Sequence, residues 1–304
     1  MCCPRSPARS LLAVRPHGTC RRGGLTMVLE LPSAAPVDGD NSTATEPAVL
    51  VQNQGFIALI ILNRADNRNS MTPELLDAFT AAVQHVKAQA DVRCVVVTGR
   101  GPSFCAGADF RSGLQRAGDD KLPAERSFAM YAPFLSLLEL QVPVIGALQG
   151  HAVGGGFGLA MVCDMRIASQ NSKYGANFAK LGLASGMAIS DLLPRLIGVP
   201  RAMELLLTGQ LISGETGAQW GLFNRAVPSA DVLATALQLA GDIASSAPIV
   251  VRLTKRAIYD NLGWDPQTAA WREAFGQAAT VATADCLEGV TALLAKRPPV
   301  FTGR

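Results

Sequence analysis

Two glycine-rich turns constrain this chain more than any other feature. Phe104-Cys105-Ala106-Gly107-Ala108-Asp109 and Gly150-His151-Ala152-Val153-Gly154-Gly155-Gly156 lie about 45 residues apart, each after a strand-like run, Cys94–Thr98 and Val144–Leu148. Turns so poor in side chain let backbone approach a ligand or another backbone closely, and a helix opening on glycine presents unpaired N–H groups. The pair is read as two halves of one oxyanion hole, each turn giving one N–H to a carbonyl oxygen that gains negative charge. One donor of that kind is worth about 3 kcal/mol in a transition state.

A helix-like stretch from Ala124 to Leu140 separates the two turns, so a strand-turn-helix unit occurs twice. Upstream, Val49–Val51 and Phe56–Leu62 flank Asn53-Gln54-Gly55, a hairpin signal. Thr72-Pro73-Glu74 then starts a helix with an N-cap and proline at its first position. Leu75, Leu76, Phe79, Ala82, Val83 and Val86 recur at helical spacing and predict its core-facing stripe. Strands alternate with helices to about Ala168, which implies an α/β fold with spiral-like turns of strand and helix. From Ser190 helical patterns take over, with candidates over 230–246, 249–261, 266–282 and 286–295. The expected organisation is a tail or N-terminal extension over 1–45, an α/β core over 46–200 and a helical C-terminal subdomain over 201–304.

With 304 residues and 49% hydrophobic content the chain can bury a large core. The formal charge is only +3, and Arg5, Arg9, Arg15, Arg21 and Arg22 in the tail have no acidic neighbour, so the body offers no broad basic face for nucleic acid. No apolar run approaches the roughly 20 residues of a membrane span. Seven cysteines, several within apolar strands or turns, point to a reducing compartment. The tail is Arg-rich and acid-poor like a mitochondrial presequence but lacks a clear amphipathic helix, and Met27 opens a more ordinary sequence. A disordered tail in a cytoplasmic bacterial protein is the expectation; a transit peptide to the mitochondrial matrix is the alternative.

Other chemistries fit less well. A dinucleotide fingerprint at 154–156 would need glycine where Leu159 stands and an acidic residue after the following strand. His17, His85 and His151 are the only histidines and are scattered, so no metal cluster and no Ser/His/Asp set is expected. His85 reads as a solvated helix residue and His151 as a backbone-bonding turn residue. Cys105 adjoins the first turn in an apolar context, which favours packing over nucleophilic work.

Together with Ala160–Ala168 and Leu205-Leu206-Leu207-Thr208-Gly209, these motifs resemble the crotonase (enoyl-CoA hydratase/isomerase) superfamily from about Ala48 to the end. The resemblance implies a ββα superhelical core, a C-terminal trimerisation subdomain, and an acyl-CoA thioester whose enolate is stabilised by the N–H groups of Ala106 and Gly155. It implies no separate cofactor, because coenzyme A is part of the substrate, and it implies a homotrimer or dimer of trimers. Asn63-Arg64 and Arg68-Asn69-Ser70-Met71 match the segment that touches the adenine end of coenzyme A, with Lys296 or Arg297 as phosphate candidates. Gly107, Ala108, Asp109 and Phe110 complete the first turn, Gly154 adjoins the second, and Phe134 is expected to line the acyl pocket. Where the hydratase branch carries two glutamates this chain has Gly158 and Phe178, neither able to move a proton. The isomerase position falls at Ser185-Gly186, and the nearest carboxylate is Asp191. The site is therefore expected to polarise a thioester, to hydrate it poorly, and to be roomier beside Gly158. A catalytically silent acyl-CoA-binding subunit is the alternative. An RNA-binding role would need a row of lysines where Lys87 stands alone.

Overall fold

The computed structural model describes residues 46–109 and 122–304; the tail over 1–45 and Phe110 lie outside the described residues. Strands β1 (Val49–Gln54) and β2 (Ile57–Leu62) form the expected hairpin, its register closing at Gln54 and Ile57. The loop is Gly55-Phe56, which shares only Gly55 with the Asn53-Gln54-Gly55 signal because Asn53 and Gln54 belong to β1, and Gly55 supplies the positive φ of 59° that a tight hairpin turn needs. Helix α1 (Pro73–Lys87) begins where predicted: the Thr72 hydroxyl accepts the Leu75 N–H at 3.2 Å, and the six stripe residues are its buried ones.

The chain then alternates long and very short strands. β3 (Cys94–Gly99) leads to β4 (Ser103–Cys105), and α2 (Pro123–Leu135) with a 3-10 turn over Ser136–Glu139 follows. β5 (Val144–Leu148) leads to β6 (His151–Val153) and α3 (Gly155–Val162); β7 (Met165–Ser169) leads to β8 (Lys173–Gly175) and a 3-10 turn over Asn177–Leu181. The long strands build a main sheet of order β1-β2-β3-β5-β7-β10, parallel apart from β1, and the short ones a second sheet of order β4-β6-β8-β9. Each turn of the spiral thus gives one strand to either sheet. This corrects the reading of the glycine-rich segments as plain turns, since each contains a strand of the second sheet.

Beyond β8 come α4 (Ile189–Ile197), α5 (Val199–Thr208), β9 (Ile212–Ser213), α6 (Gly214–Gln219) and β10 (Arg225–Val227), then α7 (Val232–Ala244), α8 (Pro248–Asp260), α9 (Pro266–Val281) and α10 (Ala284–Leu294). The central strands are buried on both faces, which is why they read as continuous apolar runs. Ala58, Ile60, Leu62, Val95 and Val97 pack in one core cluster with residues of α1, α2 and α3. The alternate residues Leu59, Ile61, Val96, Ile145, Ala147 and Ile167 meet α7, whose Ala236 and Ala240 permit close approach. β10 and α7 lie past residue 200, so the main sheet draws on both sides of the expected 200/201 boundary. α8 is tied to the entry of β7, where Asp164 binds Lys255 Nζ and the Tyr259 hydroxyl, each at 2.7 Å. Among the described residues no single helix is long and apolar enough to cross a membrane.

Candidate active site

The second sheet exists to bring the two glycine turns together. β4 pairs with β6 in parallel, Ser103 opposite His151 and Cys105 opposite Ala152, so the chain leaves both strands side by side. Gly107, at φ 84°, has space for no side chain: a Cβ there would lie 2.6 Å from the Val153 carbonyl oxygen and 3.0 Å from the Gly155 nitrogen. A Cβ on Gly156 would collide with the Cys105 carbonyl, so only glycine lets the start of α3 sit on β4. α3 opens at Gly155 after Gly154, as expected, and has no side-chain cap.

An account of the N–H groups corrects one assignment. Ala106 N–H donates to the Arg68 carbonyl at 3.1 Å, so the donor expected from Ala106 is already spent. The Gly107 carbonyl accepts the Met71 N–H at 2.8 Å. In a trans peptide the next N–H, that of Ala108, points the opposite way. Among the described residues neither Ala108 N–H nor Gly155 N–H has a partner. These two groups lie on directly abutting turns, and the helix dipole of α3 adds positive potential at Gly155.

Asn69 holds this arrangement and is itself wholly buried. Its Nδ2 donates to the carbonyls of Arg100, Ser103 and Phe104 at 3.0, 2.9 and 3.1 Å, and its Oδ1 accepts the Arg64 N–H at 2.8 Å. A side chain so engaged has nothing left for a ligand, contrary to the substrate contact expected of it. Ser70 is half-buried with its hydroxyl on the Asn67 carbonyl at 2.7 Å, and Arg68 is exposed. Asp109 is half-buried and partnered.

Around Gly158 the expected open space is absent. A Cβ on Gly158 would lie 2.5 Å from Met187 Cβ and 2.7 Å from its Cγ, so a methionine fills the place. Met187 and Ala188 sit at φ 61° and 56°, a left-handed conformation that costs a residue with a side chain. Phe178 is half-buried, its Cε1 3.8 Å from where a Gly154 Cβ would stand. Phe134 is fully buried edge-to-face on Phe79, ring centroids 4.9 Å apart, in the core and not on a pocket surface. Ser185 and Asp191 share a groove of about 860 Å³ beside α4 and α5, which neither glycine turn lines. Asp191 is paired there with Arg195 at 2.7 Å.

The remaining candidates are accounted for by ordinary contacts. His151 Nδ1 accepts the Lys173 N–H at 2.9 Å, and His85 is exposed on α1. Burial pushes the Cys105 thiol up to about 12, which keeps it protonated and unreactive. Arg297 forks onto Glu288 at 2.6 and 2.7 Å, and this hydrogen bonding holds the half-buried Glu288 carboxyl down at about 2. Lys296 caps the end of α10 at φ 52°. Among the described residues no His, Cys, Asp and Glu cluster could hold a metal ion. The sequence reading missed Asn69 as a clamp, Met187 as a filler and Tyr131, whose phenol lies against Gly186. Of these only Asn69, inside a quoted motif, carried a signal that could have been followed.

A family model described as enoyl-CoA hydratase/isomerase matches residues 52–304, and the chain belongs to that family. It is 33% identical over 254 residues to the short-chain-enoyl-CoA hydratase of Clostridium acetobutylicum, covering 82% of this chain and 95% of that one. It is likewise 33% identical over 273 residues to the (E)-benzylidenesuccinyl-CoA hydratase of Thauera aromatica, covering 84% and 99% respectively. The solved enoyl-CoA hydratase of Bacillus anthracis superposes with a TM-score of 0.79 at 33% identity, covering 84% of this chain and all of that one. The spiral of mixed α/β layers and the helical C-terminal region match that structural family.

Proposed function

We propose that the protein binds an acyl-CoA thioester and polarises its carbonyl between the N–H groups of Ala108 and Gly155, without a separate cofactor. The observation that carries this is a pair of unpaired backbone donors on abutting turns, one of them at the start of α3, in a chain of the enoyl-CoA hydratase/isomerase family. Efficient hydration is not part of the reading. The positions assigned to proton transfer hold Gly158, packed by Met187, and Phe178, while Asp191 and His151 are occupied elsewhere. Loss of each acid–base group lowers a rate by about 10²- to 10⁴-fold. The same observations support a second reading, an acyl-CoA-binding subunit without turnover. Self-association as a homotrimer or dimer of trimers belongs to the proposal; Trp264, Trp271, Phe275, Leu287, Leu293 and Leu294 leave apolar surface exposed on and beside α9 and α10.

Calorimetry with butanoyl-CoA tests the site. Ala108→Pro deletes one donor, and Gly155→Pro in a Met71→Ala background deletes the other at a helix position that tolerates proline. Binding weakened at least tenfold is the expected result, measured against the unaltered protein for Ala108→Pro and against Met71→Ala alone for the double variant, since truncating the buried Met71 lowers stability by itself. Unchanged affinity in either removes that donor from the site. Crotonyl-CoA hydration by the unaltered protein near 10 s⁻¹, an ordinary enzymatic rate, would show that another group moves the proton.

A further inference from the structure

We infer that Tyr131 recognises an oxygen on the acyl chain, so that the substrates of this site are acyl-CoA thioesters bearing a ketone or hydroxyl group and not plain hydrocarbon chains. This rests on the acyl-CoA reading above. Tyr131 lies on α2, one turn before the buried Phe134, and is itself half-buried. A Cβ on Gly186 would stand 2.6 Å from the Tyr131 hydroxyl oxygen and 2.7 Å from Cζ, so the phenol head rests on that glycine. The next residue, Met187, packs on Gly158, which lies one helical turn, about 5 Å, along α3 from the Gly155 donor. Gly155 and Gly158, one turn apart on α3, Met187 against Gly158, and Tyr131 against the adjoining Gly186 form a wall of neighbouring residues leading away from the oxyanion donors.

That wall is apolar except at Tyr131. Gly158, Met187 and Phe178 offer no hydrogen bond and no charge, and among the described residues the Tyr131 hydroxyl has no partner. Half-buried tyrosines ordinarily satisfy their hydroxyl, and small-molecule pockets orient their ligands through a few polar groups set in apolar walls. A phenol donates to a neutral oxygen, and the absence of a cation among these wall residues argues against a carboxylate there. A site built to hydrogen-bond one group penalises an analogue lacking it, because the pocket's own polar atom is then stranded.

The test is a matched series of four- and five-carbon thioesters with a ketone at the third or fourth carbon, each measured by calorimetry against its oxygen-free counterpart. The expected result is at least one pair in which the ketone binds about tenfold tighter, the effect of one good hydrogen bond, with Tyr131→Phe erasing the difference and leaving the oxygen-free member unchanged. No preference in any pair, or a preference that survives Tyr131→Phe, overturns the inference while the acyl-CoA reading stands. Failure of every thioester to bind the unaltered protein overturns both.

Discussion

The two glycine turns look alike in sequence but are held by different physics. The second is fixed by backbone packing: Gly156 sits on the Cys105 carbonyl and Gly150 on the backbone of Pro102 and Ser103, where a Cβ has no room. The first shares that packing at Gly107 but is held in addition by a side chain, the Asn69 amide gathering three carbonyls, with Ala106 N–H spent on Arg68. Holding a turn by its own backbone costs it every side chain at the contact. Holding it by a remote amide leaves its neighbouring N–H groups to be shared out, and the Met71 bond to Gly107 leaves the Ala108 N–H as the free one.

The largest effect should come from attacking this difference directly. Gly156→Ala places a methyl against a main-chain carbonyl that no rotamer change can relieve, and an overpacked site of that kind is expected to lose more than about 3 kcal/mol. Asn69→Ala leaves the Arg100 and Phe104 carbonyls and the Arg64 N–H without this partner, while the Ser103 carbonyl keeps Gln149 Nε2 at 3.0 Å. It should cost about 2–3 kcal/mol, each orphaned buried group contributing while the site partly relaxes. Urea unfolding of the two variants measures both. Near-equal stability of Gly156→Ala and the unaltered protein would mean that the close approach is not required and that the two turns are held alike.

Much of this fold was legible in the sequence, and the exceptions share a cause. The cap at Thr72, the six-residue stripe of α1, the long strands and the C-terminal helices all carry signals within a window of about ten residues. The second sheet does not, because its strands are two or three residues long and pair with partners far along the chain. The glycines announced close backbone approach. Which amide would remain unpaired depended on Met71 and Arg68, and no spacing rule encodes that. Gly158 was read as empty space since sequence shows which side chain is missing but not which neighbour moves in; Met187 arrives from 29 positions away in a left-handed conformation normally left to glycine and asparagine.

A smaller effect sharpens the contrast between backbone and side-chain halves of the site. With Met187 in place, Gly158→Glu must displace a buried methionine and is expected to cost about 1–3 kcal/mol. Gly158→Glu with Phe178→Glu should therefore leave crotonyl-CoA hydration near baseline. Adding Met187→Gly clears the space and relieves the left-handed strain, and the triple variant should raise the rate about 10²-fold or more if the donors at Ala108 and Gly155 are competent. The loss of enoyl thioester absorbance reports it. A double variant as active as the triple would show that Met187 does not obstruct the position.

The smallest effect at neutral pH separates packing from chemistry within the first turn. Cys105 lies beside the donors, fully buried, and Cys105→Ala should cost only about 1 kcal/mol at pH 7, roughly the transfer term for the lost sulfur with a small cavity, and leave thioester binding unchanged. At alkaline pH its consequence grows. Burial raises the thiol from 9.0 to about 12 in the folded protein, so between those values the unfolded chain has released a proton that the folded one retains. Stability contributed by the neutral thiol is complete below pH 9 and is lost as pH rises toward 12, at about 1.4 kcal/mol per pH unit for a group held fully protonated. Cys94 and Cys163 are raised to about 12 in the same way and act in the same direction. Replacing Cys105 with alanine should make the fall in unfolding free energy between pH 9 and 11 shallower by about one proton's worth. An unchanged slope would mean that this thiol ionises in the folded state, and alkylation by iodoacetamide at pH 8 would then label a residue that the buried, protonated reading declares inert.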